Sequence, residues 1–326
     1  MIKRIKILAT GALLLAGLGA CSPSGKKTGA DSTVDTLRTA ETVNLLNNLR
    51  KVPTQGIMFG HHDDPLYGVG WEGDEDRSDV KSVCGDYPAV MSFDLGHIEL
   101  EREKSLDNVP FRKIRQETIN QYKRGGVVSF SWHLDNPLTG KDAWDVSDTT
   151  VVASILPGGV HHAKFISWLD AVAAFMNTLE TEEGTKIPVI FRPWHEHTGS
   201  WFWWGQNLCT ADQYKALWRM THDRMHARGV KNLLYAYSPG SEPKDSTAYL
   251  ERYPGDDIID LVGFDTYQFD RTQYMEQLDK SLAILTEVGK AHDKPIAITE
   301  TGSEAIPDSV WWTQTLYPVI SKYPIS

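Results

Sequence analysis

The chain has 326 residues, 41% of them hydrophobic and 23% charged, a balance that allows a core of real size and excludes a disordered or fibrous polymer. Its 33 Lys and Arg against 43 Asp and Glu give a net charge of −10 with no basic stripe, which excludes a nucleic-acid partner. Eleven Trp, twelve Tyr and ten Phe suit stacking on sugar rings as well as core packing.

Lys3, Arg4 and Lys6 precede an apolar run from Ile7 to Ala20 that is short for a bilayer span and right for an export signal. The run ends in Leu18-Gly19-Ala20-Cys21, which resembles a bacterial lipobox and implies lipidation at Cys21; a plain secretory signal is the alternative. Ser22 to Asp31 is rich in Ser, Gly, Lys and Thr and reads as a tether. The expected organisation is a lipoprotein signal peptide over 1–20, a flexible tether over 21–34 and one barrel domain over 35–326. The expected location is a bacterial cell envelope, lipid-anchored rather than membrane-spanning, on either side of the outer membrane. Cys84 and Cys209 fall in segments expected at opposite ends of the fold, which predicts two free thiols.

From about residue 35 short apolar runs alternate with amphipathic helical stretches. Strands are predicted at Gly56–Gly60, Ala89–Phe93, Val127–Trp132, Pro188–Arg192, Leu233–Tyr237, Asp260–Phe264 and Pro295–Thr299. Between the third and fourth, Phe165, Trp168, Leu169, Val172, Phe175, Met176 and Leu179 recur at one-face helical spacing and predict a packed helix, opened near His161-His162. Thr210-Ala211-Asp212-Gln213 has the form of a capping box, and Gly125 and Gly229 sit where helices should stop. The strands start about every 40 residues, which predicts an α/β fold of the (β/α)8 TIM-barrel kind. An eighth strand is due near Tyr323-Pro324-Ile325-Ser326, so the expectation is a barrel lacking strand eight and its helix. Closure of the ring by an N-terminal segment would refute this.

Active sites of such barrels lie just beyond the C-terminal ends of the strands. Glu196 and Glu300 each follow an apolar run, where a carboxylate is costly unless paired, hydrogen-bonded or used. Two carboxyls facing across a cleft are what glycosidic hydrolysis requires, one to protonate the leaving oxygen and one to attack the anomeric carbon. The structural alternative is a buried ion pair of one of them with Arg192. His61-His62 and Asp63-Asp64 have metal-ligand chemistry, but neighbours on an extended strand point oppositely, so no metal is expected there. No cofactor is expected either. Trp203 and Trp204 could be sugar platforms or packing, and Asp94 and His97 read as a surface pairing rather than distal subsites.

The run Arg192 to Gly205, with Ile298-Thr299-Glu300-Thr301-Gly302, Trp132-His133 and Asp265-Thr266-Tyr267, resembles family 26 of the glycoside hydrolases, mostly β-mannanases of the retaining barrel clan A. The likeness runs from about residue 40 to the end. It implies that Glu196 is the acid/base, Glu300 the nucleophile, and that His133 and His195 bind the sugar at the cleavage point. Tyr267 is placed to hold the nucleophile and Trp201 to stack on a sugar, and Arg192, Asp265 and Trp204 join the substrate-binding set. The tryptophan usual on strand eight of the family is absent here. The implied activity is double-displacement cleavage of β-1,4-mannosidic bonds in mannan, galactomannan or glucomannan by a monomer. The alternatives are a mannobiose-releasing enzyme, a xylanase or mixed-linkage glucanase, a catalytically silent glycan-binding lipoprotein, and a metal-dependent hydrolase that a chelator would stop.

Overall fold

The computed structural model describes residues 38–326; the signal segment 1–20, Cys21 and the tether 21–34 lie outside the described residues. Seven parallel strands form one sheet in chain order: β1 (Gly60–His62), β2 (Val90–Asp94), β3 (Val127–Ser131), β4 (Val189–Arg192), β5 (Leu233–Tyr237), β6 (Leu261–Gln268) and β7 (Ile296–Ser303). Helices fill the connections, and the whole is a (β/α)8 barrel that lacks one strand. Its edges are β1 and β7, and no N-terminal strand among the described residues pairs with either. At the foot of β7 the Ser326 amide donates to the Ile296 carbonyl at 2.9 Å.

Alternation along each strand decides what faces where. Phe93, Phe130, Phe191, Tyr235 and Phe264 point outward into the large core beneath the helices. Val127, Ile190, Leu234, Ala236 and Leu261 point inward and form a second core inside the barrel. Leu49, the last residue of the N-terminal helix Ala40–Leu49, joins that inner cluster and plugs the barrel floor. Ile190 and Leu261 fix the parity, so Arg192 and Asp265, two and four residues on, also face the barrel interior at its C-terminal mouth.

Local signals in the sequence agree with the elements. The helix His162–Asn177 buries Phe165, Trp168, Leu169, Val172 and Met176. The capping box at Thr210 and Gln213 is formed in both directions and opens Ala211–Ala227. Gly125 and Gly229 adopt φ of 85° and 72° at helix ends, a conformation costly for other residues. Cys84 and Cys209 are both free.

Three strands depart from expectation by more than one residue at an end. β1 begins at Gly60 rather than ending there, because pairing with Val90–Ser92 starts at Gly60 and only the Phe59 carbonyl reaches back to the sheet. His61 and His62 therefore belong to the strand. β6 and β7 each run four residues beyond their apolar stretch, because the polar residues Asp265–Gln268 and Glu300–Ser303 keep pairing with one another.

Candidate active site

Arg192 ends β4, and the chain beyond it is unusually bent. Trp194, Glu196 and Ser200 have φ of 59°, 51° and 61°, in the left-handed region that costs a side-chain-bearing residue about 1–2 kcal/mol. The surroundings hold these conformations. The Glu196 amide donates to the Ser238 carbonyl at 2.8 Å, Tyr214 Oη to the Trp194 carbonyl at 2.6 Å and Trp204 Nε1 to the His195 carbonyl at 2.8 Å. The loop is thus a rigid platform that presents Glu196, whose Oε2 accepts from Trp201 Nε1 at 2.7 Å.

Glu300 reaches the interior by a different device. Simple alternation from Ile296 and Ile298, which face outward, would send Glu300 outward too. The ladder shifts after Phe264 opposite Ile298, so that Asp265 pairs with Glu300 and Thr299 is an extra residue in β7. This bulge reverses the parity and aims Glu300 inward. Thr299 Oγ1 fastens it by donating to Asp265 Oδ1 at 2.6 Å. Arg192 bridges the two acids, with Nη1 at 2.7 Å from Asp265 Oδ2 and Nη2 on Glu300 Oε1. Tyr267 Oη donates to Glu300 Oε2 at 2.6 Å.

Two imidazoles stand beside these carboxylates. Buried Asp94 accepts from the Gly96 amide and Ser131 Oγ, both at 2.6 Å, and from His133 Nδ1 at 2.7 Å. Burial alone would lower the His133 pKa, but the Asp94 charge and hydrogen bond outweigh it and raise it. His195 is driven the other way, well below the usual histidine range, by burial and the Arg192 and His133 cations. The two shifts favour a proton on His133 Nε2 over His195 Nε2, which lies 3.0 Å away.

The two glutamates are pushed apart in acidity. Burial, reinforced by the charge of Glu300, raises Glu196 to about 7. Burial would raise Glu300 as well, but the Arg192 cation, the Tyr267 hydrogen bond and the His133 charge outweigh it and lower its pKa. Near neutral pH one carboxyl can give a proton while the other is ionised.

The sequence-derived residues divide into partly exposed and buried groups. Glu196, Glu300, His133, Trp201 and Tyr267 are at least partly exposed, with Trp201 at 41% and Tyr267 at 45%. Arg192, Asp265 and His195 are buried, with Arg192 bridging Asp265 and Glu300 and His195 meeting His133. Trp204 is fully buried, stacked on Phe202 and bonded to the loop backbone, so packing is its role and the platform expectation is corrected; Trp203 is buried likewise. Asp94 is no surface partner of His97, which lies 3.9 Å from Asp135. Trp144, half exposed and stacked on His133 at 5.4 Å, was not singled out because it stands in a loop without a strand signal. Glu99 was also missed. It accepts from Trp132 Nε1 at 3.0 Å and the Asp135 amide at 2.9 Å, and burial raises it to about 7. His195, Asp265 and Glu300 could in geometry hold a metal, but Arg192 already supplies the cation between the two acids.

The model of Glycosyl hydrolase family 26 matches residues 34–314. The mannan endo-1,4-beta-mannosidase of Bifidobacterium adolescentis is 35% identical over 320 residues, covering 91% of this chain and 31% of that protein. Mannan endo-1,4-beta-mannosidase A and B of Caldalkalibacillus mannanilyticus is 27% identical, covering 86% of this chain and 52% of that protein. The chain thus spans about a third to a half of the length of these two curated relatives. Among solved structures, a GH26 beta-mannanase from Bacteroides ovatus superposes with a TM-score of 0.88 at 63% identity, covering 89% of this chain and 84% of that one. A modular endo-beta-1,4-mannanase from Cellulomonas fimi gives 0.81 at 33% identity, covering 89% and 67%.

Proposed function

Because the chain belongs to glycosyl hydrolase family 26, we propose that it cleaves internal β-1,4-mannosidic bonds of mannan, galactomannan or glucomannan with retention of configuration. Glu196 is the proton donor and Glu300 the nucleophile. One observation carries this reading: two carboxyls of one trough are driven in opposite directions, Glu196 up to about 7 and Glu300 down.

The reaction follows from those charges. Glu196 gives its proton to the glycosidic oxygen as a Glu300 oxygen bonds to the anomeric carbon, and the aglycone leaves as an alcohol. Arg192 and Tyr267 hold the attacking carboxylate in place before the step. Esterification removes the charge of Glu300, which had been raising Glu196, so Glu196 becomes the stronger acid and its anion accepts a proton from water. That water attacks the anomeric carbon, the ester bond breaks and Glu300 is restored. His133 and exposed Trp201 border the path of the sugar, which supports contact roles for both.

Incubation with galactomannan and with mannohexaose tests the substrate and the mode together. Mixed manno-oligosaccharides from early times support internal cleavage. Mobilisation of mannobiose alone would assign end-acting release, turnover of xylan or mixed-linkage glucan instead would assign a different substrate, and no released sugar would leave a silent binding protein.

We also propose that residues 1–20 are removed and that Cys21 is acylated, so that a monomeric barrel is tethered to the cell envelope. The support is the leader sequence ending at Ala20-Cys21. Labelling with a palmitate analogue, abolished in Cys21→Ser, tests it.

A further inference from the structure

We propose that His62, Asp63 and Asp107 form a binding site for a divalent transition-metal cation of the zinc type at the C-terminal end of β1. It adjoins the catalytic carboxylates, since the His62 charge is among those that lower Glu300, but it does not depend on their roles.

Neighbours on a regular strand diverge, which keeps their side chains from sharing a metal. Asp63 removes that obstacle, because its φ of 49° breaks the extended course directly after His62. His62 Nε2 and Asp63 Oδ2 consequently stand 3.5 Å apart, and Asp107 Oδ2 comes within 3.8 Å of the same nitrogen. The three donor atoms all lie within 4.8 Å of one another. Zinc bonded at about 2.0–2.2 Å to such ligands in a tetrahedron holds them a little over 3 Å apart, a small closure from the distances seen.

A second observation is independent of that spacing. Asp63 is 1% exposed, and neither of its carboxylate oxygens has a partner at full hydrogen-bond geometry, the Tyr67 hydroxyl and the His62 ring being the groups that act on it. Its backbone is fixed, the amide donating to the Ser92 carbonyl and the carbonyl accepting from the Leu66 amide, both at 2.8 Å. The imidazole at 3.5 Å is too distant for a hydrogen bond. The His62 charge pairs with this carboxylate only at ion-pair distance, and a buried carboxylate without a close donor gains from ligating an ion.

Chemistry selects the ligand. Against burial, which lowers it, the Asp107 hydrogen bond and the charges of Asp63, Asp94 and Asp107 raise His62 to about 9, so a metal enters by displacing the imidazolium proton. Two carboxylates and the neutral imidazole then balance a 2+ charge, and a mixed nitrogen and oxygen set suits zinc better than calcium, which takes six to eight oxygens. The oxygens of Asp63 are enclosed, while the side chains of His62 and Asp107 are partly open to solvent, the side from which a cation arrives. Three protein ligands leave a fourth position for water.

The test is zinc titration of the chelator-treated full chain by calorimetry, with anomalous diffraction at the zinc edge on crystals of the same protein. The expected result is one zinc per chain at these three residues, with affinity lowered at least tenfold in His62→Ala and in Asp63→Asn. The melting curve shows whether each variant folds, and the anomalous peak on the unmodified chain decides the matter if one does not. No binding, a peak elsewhere such as at Cys84, affinity unchanged in folded variants, or mannobiose bonded to Asp63 in metal-free crystals would each overturn the proposal.

Discussion

Glu300 stands opposite Asp265 across the β6–β7 ladder because Thr299 is an extra residue in β7. The whole electrostatic design rests on this register. It gives Arg192 two acids to bridge and gives Tyr267 an oxygen to hold. A strand without the bulge would aim the same carboxylate at the helices.

Deletion of Thr299 should therefore behave like loss of the nucleophile. We expect kcat/KM on mannohexaose to fall by at least about 10²-fold, with the far-ultraviolet circular dichroism of the barrel retained. Near-normal turnover in the deletion variant would show that the bulge is not what aims Glu300.

The activity profile should fall as pH rises through about 7, because the donor Glu196 must be protonated and its carboxyl sits at about 7. Trp201 Nε1 stabilises the ionised form of Glu196 by its hydrogen bond. Trp201→Phe keeps an aromatic ring but removes that donor, so the alkaline limb should move to higher pH. A limb that stays put or moves down contradicts the assignment of the limb to Glu196.

Asp94 acts through His133. Asp94→Asn removes the charge that outweighs burial and raises His133, and so weakens one of the positive groups that lower Glu300. The acid limb of the profile should then move up, and kcat/KM at the optimum should drop about 10- to 100-fold, the range for one lost charge-assisted hydrogen bond. Nitrogen-15 shifts of the His133 ring should show the lost proton, and unchanged shifts would refute the relay.

Much of this was legible in the residues. Seven apolar runs at regular spacing gave the barrel, and the Thr210–Gln213 box and the glycines at 125 and 229 marked helix ends through local hydrogen bonding and φ alone. The glutamates stood out because carboxylates beyond apolar strands need an explanation. What stayed hidden depends on register and depth. Alternation cannot reveal the inserted Thr299, nor the turn at Asp63 that brings His62 and Asp63 together. Composition cannot tell Trp201, on the surface, from Trp204, three residues on and fully buried. Asp94 looked like a surface acid because its partners come from another strand.

Leu49 offers a stability test away from the chemistry. It is 2% exposed and closes the inner core at the barrel floor. Leu49→Ala should cost about 2–5 kcal/mol in denaturant unfolding, with KM on mannohexaose unchanged. A loss below 1 kcal/mol, within the range of ordinary surface substitutions, would contradict the plug.

The claim that Glu300 forms a covalent bond to the sugar is open to direct measurement. A 2-deoxy-2-fluoro mannosyl donor with a fluoride leaving group should form the ester quickly and hydrolyse it slowly, raising the intact mass by one glycosyl unit. Peptide mapping should place that unit on Glu300, and Glu300→Ala should take up none. A label on another side chain, or steady turnover of the donor with inversion at the anomeric carbon and no adduct, would contradict the account.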